Sequence, residues 1–271
     1  MSLKKAKQFL LEKKGYLKKS PKILSERINV EEEICKQAIN ELNKQYRPKK
    51  IRRLFFDIET TPNVVYTWRI GYNINVSHDS IIKERVVLSI HWKWQGSDRV
   101  HNLRWDDSHN DKEMLIKFIK IANQADEIIA HNGDRFDMKW LRTRCIFHRI
   151  PMFPEYKTLD TLKKAKAHFN FNSNKLDYIS QFLGVGAKTE HEGYSLWLKC
   201  MDGDEEAMEK MIEYGDNDVV ILEDMYNVLM PYIKHNTHHG VHNGGNSSHC
   251  PNCGSKPRLK KNITTASGTL Q

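Results

Sequence analysis

IRRLFFDIET, residues 51–60, places Leu54, Phe55 and Phe56 directly before Asp57, Ile58 and Glu59. The short apolar run predicts a buried strand over Arg52–Ile58. Alternate residues of a strand share a face, so Asp57 and Glu59 point the same way at its end. Two carboxylates on one face repel each other strongly unless a proton or a cation lies between them. A charge pair at a sheet edge would escape that cost in water, but Leu54-Phe55-Phe56 argues for burial.

Downstream, strand-like and helix-like patterns alternate. Arg85–Trp94 and Arg99–Trp105 read as strands. Asp111–Ala122 has helical spacing, with Asp111 as the expected N-cap. Glu127–Ala130 is a short strand, Asp137–His148 a helix and Tyr156–Thr161 another strand. Leu162–His168, Leu176–Leu183 and Glu205–Tyr232 are helical. Several strands followed by strand–helix alternation predict an α/β fold with a mixed sheet flanked by helices over residues 51–234.

Upstream, residues 1–50 read as three helices. The first is Lys4–Lys14, ended by Gly15. The second is capped by Ser20 with Pro21 at its first position, and the third is Glu31–Tyr46. The short link Ile28-Asn29-Val30 gives the last two a helix-turn-helix form, with the third helix as the reading helix. Glu31, Glu32 and Glu33 at its front oppose deep insertion into a groove, and a small packing bundle is the alternative. At the other end, HNTHHGVHNGGNSSH (235–249) reads as a linker. CPNCG then opens residues 250–271. Cys250 and Cys253 have the spacing of a zinc knuckle, yet two thiolates fall short of four tetrahedral ligands. The tail is therefore expected to be half of a zinc ribbon, or a disordered tail with two free thiols.

The 271 residues carry a net charge of +9, unevenly spread. Residues 1–53 hold 16 Lys/Arg against 6 Asp/Glu, residues 54–233 hold 22 against 28, and residues 234–271 hold 5 against none. Basic flanks suit a polyanion such as nucleic acid. The acidic middle would repel a phosphate backbone unless its carboxylates hold divalent metal. Five cysteines argue against a disulfide framework and for a reducing, cytoplasmic compartment. No apolar run approaches the ~18 residues of a membrane span, so no membrane partner is expected.

Two further motifs stand out. IIAHNGDRFD, residues 128–137, breaks an apolar strand at Asn132-Gly133 and presents Asp137 where a helix begins; alone, Asp137 reads as a helix cap. YGDND, residues 214–218, sets Tyr214 and Asp218 at i and i+4 on one helix face; alone, it reads as a polar flank. Asp160 and Asp216 are nearby acids, and Asp160 is expected to be structural. Trp68, Tyr72, Trp92 and Trp94 offer either stacking surfaces for bases or core packing.

Taken in order, Asp57-x-Glu59, Asn132-x-x-x-Phe136-Asp137 and Tyr214-x-x-x-Asp218 resemble the three motifs of the DEDD exonuclease superfamily. The tyrosine marks the branch that includes the proofreading domains of family B DNA polymerases. Glu213 stands where the histidine branch has its His. The resemblance covers about Ile51–Tyr232 and implies a ribonuclease H-like fold. It also implies a metal-dependent 3′→5′ exonuclease using two Mg²⁺ or Mn²⁺ ions, with single-stranded DNA favoured over RNA. On that resemblance Asp57 bridges the ions, Glu59 and Asp218 complete one, Asp137 holds the other and Tyr214 orients the attacking water. Asn132 and Phe136 would touch substrate, and a replication or repair protein would be a partner. Separately from that resemblance, CPNCG would hold Zn²⁺ through Cys250 and Cys253, with His238, His239, His242 or His249 able to supply further ligands. The rival reading is a nucleic-acid-binding regulator with an inert nuclease-like core.

Overall fold

The computed structural model describes residues 3–13, 19–45, 51–189, 192–233, 237–242, 247–251, 255–256, 263–265 and 268–270. Gly15, Tyr46, Cys253 and residues 243–246 of the expected linker lie outside the described residues. The chain divides into two compact units, residues 1–50 with 238–271, and residues 51–237.

The first unit contains α1 (Leu3–Glu12), α2 (Pro21–Ile28) and α3 (Glu32–Gln45). Ser20 Oγ accepts the Ile23 N–H at 3.4 Å, and Pro21 takes the first helical position. Asn29, left-handed at φ 50°, ends α2 and turns the chain into α3. Leu10, Leu24, Ile28, Cys35, Ala38 and Leu42 bury against one another between the three helices.

The second unit begins with β1 (Arg53–Thr60), β2 (Val64–Val65), β3 (Ile81–Lys83), β4 (Val87–Trp94) and β5 (His101–Arg104). It continues with α4 (Lys112–Ala122), β6 (Glu127–Ala130), α5 (Asp137–Phe147), β7 (Thr158–Asp160), α6 (Thr161–His168), α7 (Leu176–Leu183), α8 (Tyr194–Met201) and α9 (Glu205–Leu229). After it come α10 (His239–His242) and the paired strands β8 (Ile263–Thr265) and β9 (Gly268–Leu270). The main sheet has the order β5-β4-β1-β6-β7. β4 runs antiparallel to β1 and β5, while β1, β6 and β7 are parallel. This is the mixed sheet flanked by helices that the alternation predicts.

β1 is buried on both faces, which explains its unbroken apolar run. Leu54, Phe56 and Ile58 enter one core with Leu115 and Phe118 of α4 and Leu141 of α5. Phe55 enters the other with Val219, Leu222 and Tyr226 of α9. By the period of two, Asp57 and Glu59 share the face of Phe55.

Several expectations need correction. Asp111 stands before α4 but makes no capping bond. Its carboxylate instead takes Arg144 Nε at 2.7 Å, Arg144 Nη2 at 2.9 Å, His148 Nε2 at 2.6 Å and the Val87 N–H at 3.1 Å. Burial works against its charge, but the bonds from Arg144, Val87 and His148 hold its carboxyl below the usual range. The last long helix stops at Leu229 and continues as a 3₁₀ turn over Met230–Tyr232, since Pro231 has no N–H to donate. The linker region carries α10, and β2, β3, α8 and the β8–β9 pair had no counterpart in the pattern reading. Among the described residues Cys250 forms no disulfide, and its N–H bonds Ser255 O at 2.8 Å.

Asp111→Ala leaves Arg144 and His148 buried without their acceptor. Breaking a buried pair on one side costs about 3–5 kcal/mol. Chemical denaturation of the variant is expected to show a loss of that order, against less than about 1 kcal/mol for an exposed pair such as Arg104–Glu205.

Candidate active site

Phe55 meets Tyr226 of α9 edge-on, 5.2 Å between ring centroids. That contact lays α9 along β1. About two and three turns nearer the helix N-terminus, Asp218 and Tyr214 reach the end of the strand. The ligand oxygens of Asp57, Glu59 and Asp218 lie within 4.8 Å of one another. Asp218 and Tyr214 are buried, Asp57 and Glu59 half-buried.

Gly215 is the residue that lets α9 come this close. A Cβ there would overlap the imidazole of His91 on β4. His91 Nδ1 lies 2.7 Å from Asp216 Oδ1 and its Nε2 lies 2.8 Å from Ser89 Oγ, both buried under the helix. Asn102 of β5 adds a bond to Asp216 at 2.8 Å. Asp216, an acid with no place in the expected tetrad, therefore pins α9 to the sheet.

The second motif turns at Asn132, left-handed at φ 65°, and at Gly133, where a Cβ would overlap that of Ala130. Asp160 Oδ1 accepts the Asn132 N–H at 2.9 Å and the Leu162 N–H at 2.9 Å, so one carboxylate holds the turn and caps α6. The structural reading of Asp160 stands. Asp137 opens α5 and is buried, and its Oδ1 accepts the Ile58 N–H at 3.1 Å. It lies outside the close trio but near enough for its charge to act on Asp57. Phe136 packs partly on the core beneath α4 and α5. Asn132 lines an open cleft of about 720 Å³ with His131, Lys166, Asn172, Asn174 and Lys188.

Electrostatics follow from crowding. Burial, then Asp137, Glu59 and Asp218, push Asp57 well above the usual carboxylate range. Burial lifts Glu59 to about 8 against the opposing charge of Lys188, with Asp218 and Asp137 adding to the rise. Burial lifts Asp137 to about 7. Lys188 Nζ donates to Tyr214 Oη at 2.8 Å and pairs with Asp218 Oδ2, while sitting 4.8 Å from the centre of the Tyr214 ring. Burial works against this ammonium, but Asp218 and Tyr214 hold its proton more firmly than usual. Burial and Asp218 raise the Tyr214 phenol to about 12. Trp197 of α8 hydrogen-bonds Glu59 and packs edge-on to Tyr214 at 6.2 Å. Lys188 and Trp197 were not singled out from the sequence. Lys188 lies in a stretch without helical or strand periodicity, and the aromatic residue near the motif carried no spacing signal.

Asp218 Oδ1 is buried with no hydrogen-bond partner among the described residues. An orphaned carboxylate oxygen beside two more carboxylates is a set of hard oxygen donors that suits a divalent cation.

The RNase_H_2 profile of the RNase_H superfamily matches residues 54–230. The chain belongs to the RNase_H superfamily. Among solved structures it is similar to the family B DNA polymerase of the hyperthermophilic archaeon Pyrobaculum calidifontis, at 16% identity and a TM-score of 0.53. That match covers 68% of this chain and 25% of the polymerase, so the likeness is one of fold over part of a longer protein. No curated protein matches the chain. Among the described residues, no helix is long and apolar enough to cross a membrane.

The raised carboxyls predict how the metal-free chain responds to pH. A carboxyl with a raised folded value keeps its proton where the unfolded chain has lost it. Its stabilisation is intact below about pH 4 and is lost as pH climbs through about 7 at Asp137 and about 8 at Glu59. Melting curves without metal are expected to fall by several degrees between about pH 5 and 8. Asp57→Asn should flatten the fall and melt higher than wild type at the upper end. A level wild-type profile would contradict the crowding.

Proposed function

We propose that the chain is a divalent-metal-dependent 3′→5′ exonuclease of the tyrosine-bearing DEDD branch, acting on single-stranded nucleic acid, DNA before RNA. The observation that carries this is the meeting of Asp57, Glu59 and Asp218 around the orphaned Asp218 oxygen, with Tyr214 one helical turn away on the same face. Asp57, Glu59 and Asp218 would hold one cation, and Asp57 with Asp137 a second. When bound, Mg²⁺ or Mn²⁺ supplies an acidified water and neutralises charge on the phosphate.

The chain's own groups do the rest. The Tyr214 hydroxyl, which accepts from Lys188 Nζ at 2.8 Å, would hold a water for attack on the phosphate. Trp197 and Lys188 restrain the Glu59 and Asp218 carboxylates, so the donors need little rearrangement on binding. Lys166, Lys188 and the carboxamides of Asn132, Asn172 and Asn174 line the cleft beside the carboxylates, where a phosphate backbone would find cations in an otherwise acidic unit. The polarity and the DNA preference rest on the motif resemblance.

Single-turnover digestion of 5′-labelled single-stranded DNA, duplex DNA and RNA with Mg²⁺, Mn²⁺ or EDTA tests the reading. Asp57→Ala and Asp218→Ala are expected to abolish cleavage while the fold persists. Tyr214→Phe should keep Mn²⁺ binding and lose roughly 10–1000-fold in rate, the cost of one positioned donor. Products shortened from the 5′ end, or wild-type turnover by either alanine variant, would overturn it.

We further read α2–α3 as a nucleic-acid contact, supported by the basic balance of residues 1–53 and by exposed Lys22, Arg27 and Lys36. Replacing these three with Ala is expected to lower the log–log salt slope of binding by about 0.7–0.9 for each phosphate no longer neutralised. An unchanged slope would make the module a protein-contact element.

A further inference from the structure

Between β1 and β4 the chain leaves the sheet as an arm. Thr61 N–H bonds Val86 O at 3.0 Å, and Val86 N–H bonds Thr61 Oγ1 at 3.0 Å, closing its base. β2 and β3 then pair antiparallel, and the Tyr66 N–H bonds Ser80 O at 3.0 Å. Beyond that bond, residues 66–77 form an irregular tip, YTWRIGYNINVS.

The tip has an apolar residue at every second position through Tyr66, Trp68, Ile70 and Tyr72. Such alternation normally buries one face. Here Tyr66 is 75% exposed, Ile70 95%, and Trp68 and Tyr72 are exposed completely. Trp92 and Trp94 behave in the opposite way. Trp92 is buried in the core and Trp94 lies under the Arg52 guanidinium at 4.4 Å. The four aromatic residues that sequence left open between stacking and packing thus divide into two exposed and two packed.

The arm is rooted at the carboxylates. The register of β1 breaks between Glu59 and Thr60, and β2 starts five residues after Glu59, within about 18 Å along the chain. Arg85 at the returning base stacks over Trp140 at 5.2 Å, one turn into the helix that Asp137 opens. The arm is therefore fastened next to two of the three elements that carry the acids, β1 and α5. The tip holds Arg69, several amides and hydroxyls, and no Asp or Glu.

We propose that this arm is a stacking platform for single-stranded nucleic acid, with Trp68 and Tyr72 taking successive unpaired bases of the strand whose end lies at the carboxylates. The proposal rests on the nuclease reading above. Rings with free faces accept any base, an acid-free tip does not repel the backbone, and the rooted base fixes the platform relative to the site.

Binding of a nuclease-resistant phosphorothioate oligo(dT), and of the matching oligo(rU), is measured by fluorescence anisotropy in EDTA with full-length protein. Trp68→Ala and Tyr72→Ala are each expected to weaken binding by roughly 5–100-fold, and Trp68→Phe to restore most of it. The variants should lose more cleavage on a long single strand than on a dinucleotide, which offers fewer bases to stack. Melting temperature and sedimentation should be unchanged. Wild-type affinity in both alanine variants would overturn the proposal while leaving the nuclease reading intact. So would an altered sedimentation coefficient, which would make the arm an interface between copies. A wild-type chain that neither binds nor cleaves any strand would remove both.

Discussion

Mutual repulsion among the carboxylates at the end of β1 is the constraint around which the second unit is built. Asp57, Glu59 and Asp218 would separate in water, and Asp57 and Glu59 also occupy a strand whose apolar residues drive it into the core. Burial of Leu54, Phe55 and Phe56 fixes the strand, and the Phe55–Tyr226 contact fixes α9 against it. Lys188 supplies the one cation that touches the cluster among the described residues. Protons supply the remainder of the neutralisation, which is why Glu59 and Asp137 hold theirs to about 8 and about 7. Strain of this kind is what a metal centre needs, because a bound dication gains most where the carboxylates are most crowded.

The spare charged groups make sense as supports for that arrangement. Asp216 with His91 draws α9 onto β4, and Gly215 leaves the room for it. Asp160 holds the Asn132 turn, which presents Asp137 at the head of α5. Asp111 ties α4, α5 and β4 together through Arg144, His148 and the Val87 N–H. None of these needs to touch a substrate. Each fixes an element that carries one of the crowded acids, α9 with Asp218 or α5 with Asp137.

Fold class and acid positions were legible because they depend on short-range spacing. Period two in residues 54–59 places both β1 acids on one face, and the i, i+4 interval places Tyr214 with Asp218. Asp111 was misread for the same reason: a position before a helix is a local signal, whereas its partners Arg144 and His148 are more than thirty residues away. Lys188 and Trp197 reach the site through tertiary contacts that no local pattern encodes. The arm shows a third kind of limit. Its alternation is that of a half-buried strand, and only the structure shows that no described residue of this unit covers it.

The central claim is that the cluster exchanges its protons for a divalent cation. Calorimetric titration of Mn²⁺ into the metal-free protein near pH 7, repeated in buffers of different ionisation enthalpy, counts the protons released on binding. The account predicts saturable binding with net proton release that vanishes well above the raised values of Glu59 and Asp137. Absence of binding, or binding with no proton release at any pH, would contradict it.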